Sequence, residues 1–596
     1  MYYNQRREEN CIWQYQEKLY NRRGKTILAG GIGMKDENFK LSELPYERIT
    51  IESFKKETSK IIKDFNAAKS GEEQFLVHKE YYAFMGKVST AMVLATMRHD
   101  GNVSDPFYEG EQVYYDEISP KIESFKVKYQ KLLFTSAYRT YLENKIGSIP
   151  FKNIEIQLKA FDDILIPLKQ EENLLTSKYN KLIAQTKVTF RGETLNLSLL
   201  GKYLKSKDRA TRIEAAEVRS EKLLTMADEL DEIFDKLVAN RNAQAKAMKY
   251  SNYVELGYYN MKRNSYDKND VAKFRNQVKN FLVPVASKIH EERRKRLRLE
   301  RLDFVDEGVY FLEGNPIPLG TADDLFAAGK KMYSELSSDT KEFFDFMLKH
   351  ELFDVLGRPD KAAGGYMEML MLYKAPIIFA NFNGTSGDVD VMTHECGHAF
   401  QGYLTRNDEI VEHNSITNET AEVHSMSMEF FTGKWMDLFF GNRGDEYRRM
   451  HLEEAIAFIP YGCMIDEFQE IIYTEPELTP RERREVWKQL EKEYKPHLAF
   501  ENDAFYSDGR TWQLQKHVYN WPFYYIDYCL AQTGALQFKV RMDEDYQDAW
   551  QRYVAFCLES AKYYFPNMLQ NVGLKSPFED GFMKELAEEI AGITEL

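Results

Sequence analysis

Within residues 388–404, which read DVDVMTHECGHAFQGYL, His394, Glu395 and His398 stand at positions i, i+1 and i+4. On an α-helix, residues four apart lie one turn apart on the same face, so His394 and His398 can offer both imidazoles to one cation. Glu395 follows about 100° round the helix, which puts a carboxylate beside the open side of such an ion, where a water would sit. Two nitrogen ligands with an adjacent general base form the H-E-x-x-H zinc signature, and the chemistry this implies is attack by an activated water.

A helix must position these groups, and the flanks supply one. Asp388 or Asp390 can cap its N-terminus. Met392, Cys396, Ala399 and Tyr403 form an i, i+4, i+7, i+11 stripe on the side away from the histidines. One face then enters a core while the other meets the metal.

A catalytic zinc takes three protein ligands and keeps a fourth position open. The metzincin extension would need Gly at 401 and His at 404, where this chain has Gln401 and Leu404. Downstream, residues 415–440 read as a second helix, with Asn418 as its cap. It carries Glu419, Glu422, His424 and Glu429. A carboxylate from a neighbouring helix would complete a His₂Glu set.

HECGHAF followed by NETAEVHSMSMEFF resembles the thimet-oligopeptidase and oligoendopeptidase F family, peptidase family M3. The likeness is greatest to its bacterial oligoendopeptidase F and Pz-peptidase members. It spans residues 34–596, is specific at the zinc motif, good through GGYMEMLMLYKAPIIFANFNGTSGDVDVMTHECGHAF, and weak before about residue 190. Cys396 departs from the apolar residue often found at its position, a place where a small buried thiol serves. The resemblance implies that the third ligand is Glu422. Glu429, two turns further on the same face, becomes the candidate carboxylate behind a ligand histidine, and His424, on another face, a structural residue. It further implies catalytic groups near the C-terminus, a His followed by clustered tyrosines. Residues 510–532 supply His517, Tyr519, Tyr524, Tyr525 and Tyr528. His517 and Tyr528, with Tyr524 behind them, are the candidates to stabilise an oxyanion, since an imidazole or phenol aimed at a scissile carbonyl does so.

The rest of the chain is the scaffold. It has 596 residues, 43% hydrophobic and 29% charged, a globular composition. Residues 51–65, 72–99, 107–134, 140–144 and 173–184 carry apolar residues at helical spacing. Residues 188–197 alternate around Arg191-Gly192 as a small hairpin, and a long helical run resumes at Asp208. Residues 340–353 read as helix. Residues 366–373 and 377–382, around Lys374-Ala375-Pro376, read as a β-hairpin whose edge could pair with an extended peptide. Residues 291–302, the densest basic run, read as a solvated helix face. Thr479-Pro480 and Ser576-Pro577 are helix starts.

The expected organisation is an artefactual or disordered extension over 1–33, an N-terminal helical domain over 34–195 and a catalytic domain over 196–596. The fold class is mainly α. The resemblance implies two lobes about a deep channel, with a small sheet beside the metal helix. The net charge of −14 argues against nucleic acid. No apolar run is long enough for a membrane span, and no N-terminal apolar segment suggests export. Five scattered cysteines suit free thiols in a reducing cytoplasm. The function expected is hydrolysis of internal bonds in short unstructured peptides, with one zinc per chain. A zinc exopeptidase and a non-catalytic peptide-binding scaffold are the alternatives.

Overall fold

The computed structural model describes residues 38–500 and 503–594, so the expectation for residues 1–33 and the thiol of Cys11 lie outside it. The chain is mainly helical, in two lobes, with two small sheets. Its N-terminal helices are α1 (Ile51–Ala67), α2 (Gly71–Gly101), α3 (Pro106–Phe134), α4 (Arg139–Ile146), α5 (Ser148–Ala160) and α6 (Ile166–Ala184). Side chains cap them as the sequence requires: Thr50 accepts from the Ser53 N–H, Ser70 from Glu73, and Asp105 from Phe107 and Tyr108 ahead of Pro106. Their apolar faces make two cores, one around Ile61, Phe65, Tyr129 and Leu142, the other around Phe54, Val88 and Ile118. A third and much larger core runs from Phe39 to Ile590 and encloses the elements that carry the chemistry. Helix α5 is absent from the sequence reading, because its apolar residues crowd all round rather than along a stripe.

Strands β1 (Lys187–Phe190) and β2 (Glu193–Asn196) form the expected hairpin, turning on Arg191 and Gly192 at φ +50° and +85°. The run after Asp208 is two helices, α7 (Arg209–Leu224) and α8 (Ala227–Ala247). The basic run departs from expectation. Helix α9 (Val283–Arg296) ends inside it, and Arg293 is fully buried over the Tyr310 ring. Leu297 and Leu302 sit in a small core, and only part of the run is solvated.

Helix α10 (Ser338–Lys349) also stops short of the expected Phe353. Glu351 turns the chain at φ +54°, and strand β3 (Phe353–Leu356) follows. Strands β4 (Tyr366–Leu370) and β5 (Ala375–Phe382) are the expected hairpin, paired Tyr366 to Phe379 through Leu370 to Ala375 and turning at Lys374. The sheet has a third member: β3 lies parallel to β5, giving the order β3-β5-β4. Strand β5 is central and buried from Ala375 to Ala380, while β4 is an edge with no further strand beyond it among the described residues. None of the described helices is long and apolar enough to cross a membrane.

Candidate metal centre and active site

Beyond β5 the chain enters α11 (Gly387–Thr405), which carries His394, Glu395 and His398, and then α12 (Asn418–Phe431), which carries Glu422 and Glu429. The caps differ from those expected. Asp388 is the second residue of α11, and its carboxylate accepts the backbone N–H groups of Asn383 and Gly384, tying the approach loop down. Asp390 accepts the Tyr447 hydroxyl instead of capping. Asn418 opens α12 but donates sideways to Asp527 at 3.3 Å. The stripe behaves as read: Met392, Cys396, Ala399 and Tyr403 are all buried. Cys396, Cys463, Cys529 and Cys557 are buried free thiols.

Glycine sets the distance between the two metal-facing helices. A Cβ on Gly397 would stand 2.6 Å from the Ser425 Cα and 2.7 Å from the His424 carbonyl oxygen. Only hydrogen fits there, and this contact lets Glu422 reach the histidines. Glu422 Oε2 lies 3.3 Å from His394 Nε2 and 3.4 Å from His398 Nε2. The three ligand atoms lie within 4.8 Å of one another. Donors about 2.0–2.1 Å from a tetrahedral ion stand ~3.3 Å apart, and the two distances from Glu422 to the imidazoles match that spacing. Two imidazoles and one carboxylate are also a donor set that zinc favours.

Two of the three, Glu422 and His394, are held by neighbours. Glu422 accepts from Ser425 Oγ at 3.1 Å through Oε2 and from the Tyr524 hydroxyl at 2.8 Å through Oε1. Burial alone would raise its carboxyl, but the two imidazoles hold it well below the usual range. His394 Nδ1 meets Glu429 Oε1 at 2.6 Å, which assigns the proton to Nδ1 and leaves Nε2 as the ligand atom. The other oxygen of Glu429 meets His451 Nε2 at 2.5 Å. Burial would raise Glu429 too, yet the two histidines bring it down to about 2.

Glu395 is 7% exposed, and its Oε2 has no hydrogen-bond partner among the described residues. Burial pushes its carboxyl upward against the pull of His394 and His398, the direction that suits a proton acceptor and donor working near neutrality. Gly365, just ahead of β4, backs it: a Cβ there would come within 3.3 Å of Glu395 Oε1.

His517 lies on α14 (Lys516–Asn520), and Tyr528 on α15 (Tyr525–Glu544), with Tyr524 just before it. The Tyr528 hydroxyl is 3.3 Å from His517 Nε2, and the Tyr524 and Tyr528 rings are 5.0 Å apart. Since Tyr524 touches Glu422, this group reaches the metal ligands directly. Burial, then Lys516, pushes His517 down to about 4, so it is a neutral ring at pH 7. Burial drives both tyrosines well up, which keeps their hydroxyls as donors. Trp521 lies 5.5 Å from the His517 ring and is 45% exposed. Tyr519 is core, stacked on Tyr179 at 3.9 Å. His424 is structural as expected, bonded to Ser560 Oγ at 2.7 Å. The sequence reading does not reach His451; Gly397 stands inside the H-E-x-x-H stretch, and Ser425 three residues after Glu422 in the E-V-H-S stretch.

Family models match the chain at residues 41–161 (peptidase M3 N-terminal domain) and 334–588 (peptidase family M3). A solved structure of Pz peptidase A with an inhibitor is 41% identical, covers 93% of this chain and 99% of its own, and superposes with a TM-score of 0.92. The chain belongs to peptidase family M3. A structure described as oligoendopeptidase F is 42% identical over 94% of this chain and 99% of its own, at a TM-score of 0.92. Another, from Bacillus anthracis strain Ames, is 40% identical over 93% and 98%, at 0.87. No curated protein sequence matches. As an M3 member the chain is a metallopeptidase, and among the described residues His394, His398 and Glu422 form a group that could hold a metal ion.

Proposed function

We propose that this M3 peptidase is a zinc-dependent endopeptidase that hydrolyses internal bonds of short unstructured peptides. The observation that carries the reading is Glu395: a buried carboxylate with a free oxygen, set beside three converging ligand atoms. His394, His398 and Glu422 would hold the ion. Zinc supplies Lewis acidity there, acidifying water and polarising a carbonyl. Glu395 takes the proton of the attacking water and delivers it to the departing amine nitrogen. The Tyr528 hydroxyl, oriented by neutral His517, donates to the oxygen of the scissile carbonyl as negative charge grows on it. Glu429 keeps the His394 ring in the ligating tautomer. Among the described residues strand β4 is an edge of the sheet that precedes the metal helix, and an extended substrate backbone can add to it. A site set between two lobes would admit short, unfolded chains and exclude folded ones. Neither nucleic acid nor a membrane is assigned as partner.

The test is digestion of a mid-length peptide with and without chelator, with fragments read by mass spectrometry. Internal fragments that vanish with chelator and return with zinc are expected. Single residues released from one end would make the enzyme an exopeptidase, and an intact peptide would overturn the reading.

A further inference from the structure

Helix α13 (Gly444–Thr474) carries His451, which reaches Glu429 behind His394. His451 is 9% exposed, and its Nε2 meets Glu429 Oε2 at 2.5 Å. The opposite oxygen, Glu429 Oε1, meets His394 Nδ1 at 2.6 Å. Glu429 is thus held at both oxygens, by one histidine that carries the ligand atom and by another that does not. The His451 ring is fixed in turn: Phe430 meets it edge-on at 4.9 Å between centroids, and Tyr447, one turn back, stacks at 5.9 Å. Tyr447 donates to Asp390, one turn before His394 on α11.

We propose that His451 is a positioning residue for the metal site: it anchors the free oxygen of Glu429 and thereby fixes the His394 ring in its ligating orientation. The chain His451–Glu429–His394 joins three helices, α13, α12 and α11, at one point. A carboxylate with a single partner could rotate about its last bond and carry the imidazole with it. A carboxylate gripped at both oxygens cannot. Hydrogen bonds with an ionised partner are also shorter and stronger than neutral ones, and both contacts here are short.

The proposal rests on His394 being a ligand, so the experiment tests that separately. Zinc affinity is measured by competition with a chromophoric chelator for the parent, His394→Ala, Glu429→Gln, His451→Phe and the double variant Glu429→Gln/His451→Phe. His451→Phe is expected to weaken zinc about tenfold and Glu429→Gln roughly 10–100-fold. In the Glu429→Gln background His451→Phe should change nothing further, because its effect passes through that carboxylate. An unchanged affinity in His451→Phe, or the same weakening in both backgrounds, overturns the proposal. A residue that merely packs α13 would lower the melting temperature and act additively. His451→Gln, which keeps an N–H donor, should recover most of the parent affinity, and its failure to do so while folded also counts against the assignment. If His394→Ala binds zinc as tightly as the parent, it is the metal-site reading that fails.

Discussion

Gly397→Ala is the sharpest test of how the two helices make the site. The added methyl carbon would stand 2.6 Å from the Ser425 Cα and 2.7 Å from the His424 carbonyl oxygen, both backbone atoms of α12. Carbon contacts are comfortable at about 3.5–4.0 Å, so the helices must part by roughly 1 Å. Overpacking of this kind costs about 1–3 kcal/mol. The same displacement withdraws Glu422 Oε2 from its position 3.3–3.4 Å from the two imidazoles. A shift of ~1 Å in a constellation of this kind costs on the order of 100-fold in function. Zinc affinity, read by chelator competition, should fall at least tenfold, and the rise in melting temperature on adding zinc should shrink with it. Gly592→Ala, at a helical glycine with open space around it, is the control and should leave both unchanged or slightly raise stability. Parent-like zinc affinity and melting temperature in Gly397→Ala would refute the claim that this contact sets the ligand geometry.

Glu395→Gln should keep zinc and lose turnover by roughly 10²–10⁴-fold; near-parental hydrolysis by metal-loaded variant would remove Glu395 as the base. Tyr528→Phe should lower kcat by about 10²–10³-fold with KM and zinc affinity little changed, whereas an effect on KM alone would make it a binding residue. Glu419 is fully buried on α12, and burial with the nearby Asp527 charge pushes its carboxyl up to about 8. The unfolded chain sheds that proton near 4.5, so between about 4.5 and 8 the folded state holds more protons and loses stability as pH rises, by at most ~1.4 kcal/mol per unit. Glu419→Gln should therefore gain on the parent in urea midpoint at pH 8 relative to pH 5, and an equal difference at both pH values would contradict a protonated Glu419.

What the sequence disclosed followed the range of the interactions. His394, Glu395 and His398 are legible because helix geometry alone brings i and i+4 together. The α12 helix was legible as an element, but Glu419, Glu422 and Glu429 all lie on it, and only the family resemblance selected Glu422. The contact through Gly397 is what makes that choice in space. His451 carries no local signature, since its role comes from α13 crossing behind α12. Strand β3 was missed because four residues paired in parallel leave no alternation to read. Asn418 is the commonest kind of cap by residue type, yet a tertiary partner, Asp527, claims its amide. Arg293 reads as surface in a basic run and lies in the interior, covered by Tyr310.

Trp521 gives the molecule an optical property of its own. Trp435, Trp487, Trp512 and Trp550 are all buried, so among the described residues Trp521 is the one indole open to water. It lies against His517. Of these five indoles it is the one that iodide in the outer solution reaches, leaving the four buried ones lit. Occupation of the neighbouring ring's surroundings then registers as a change in quenching, with no dye attached and no bond cut.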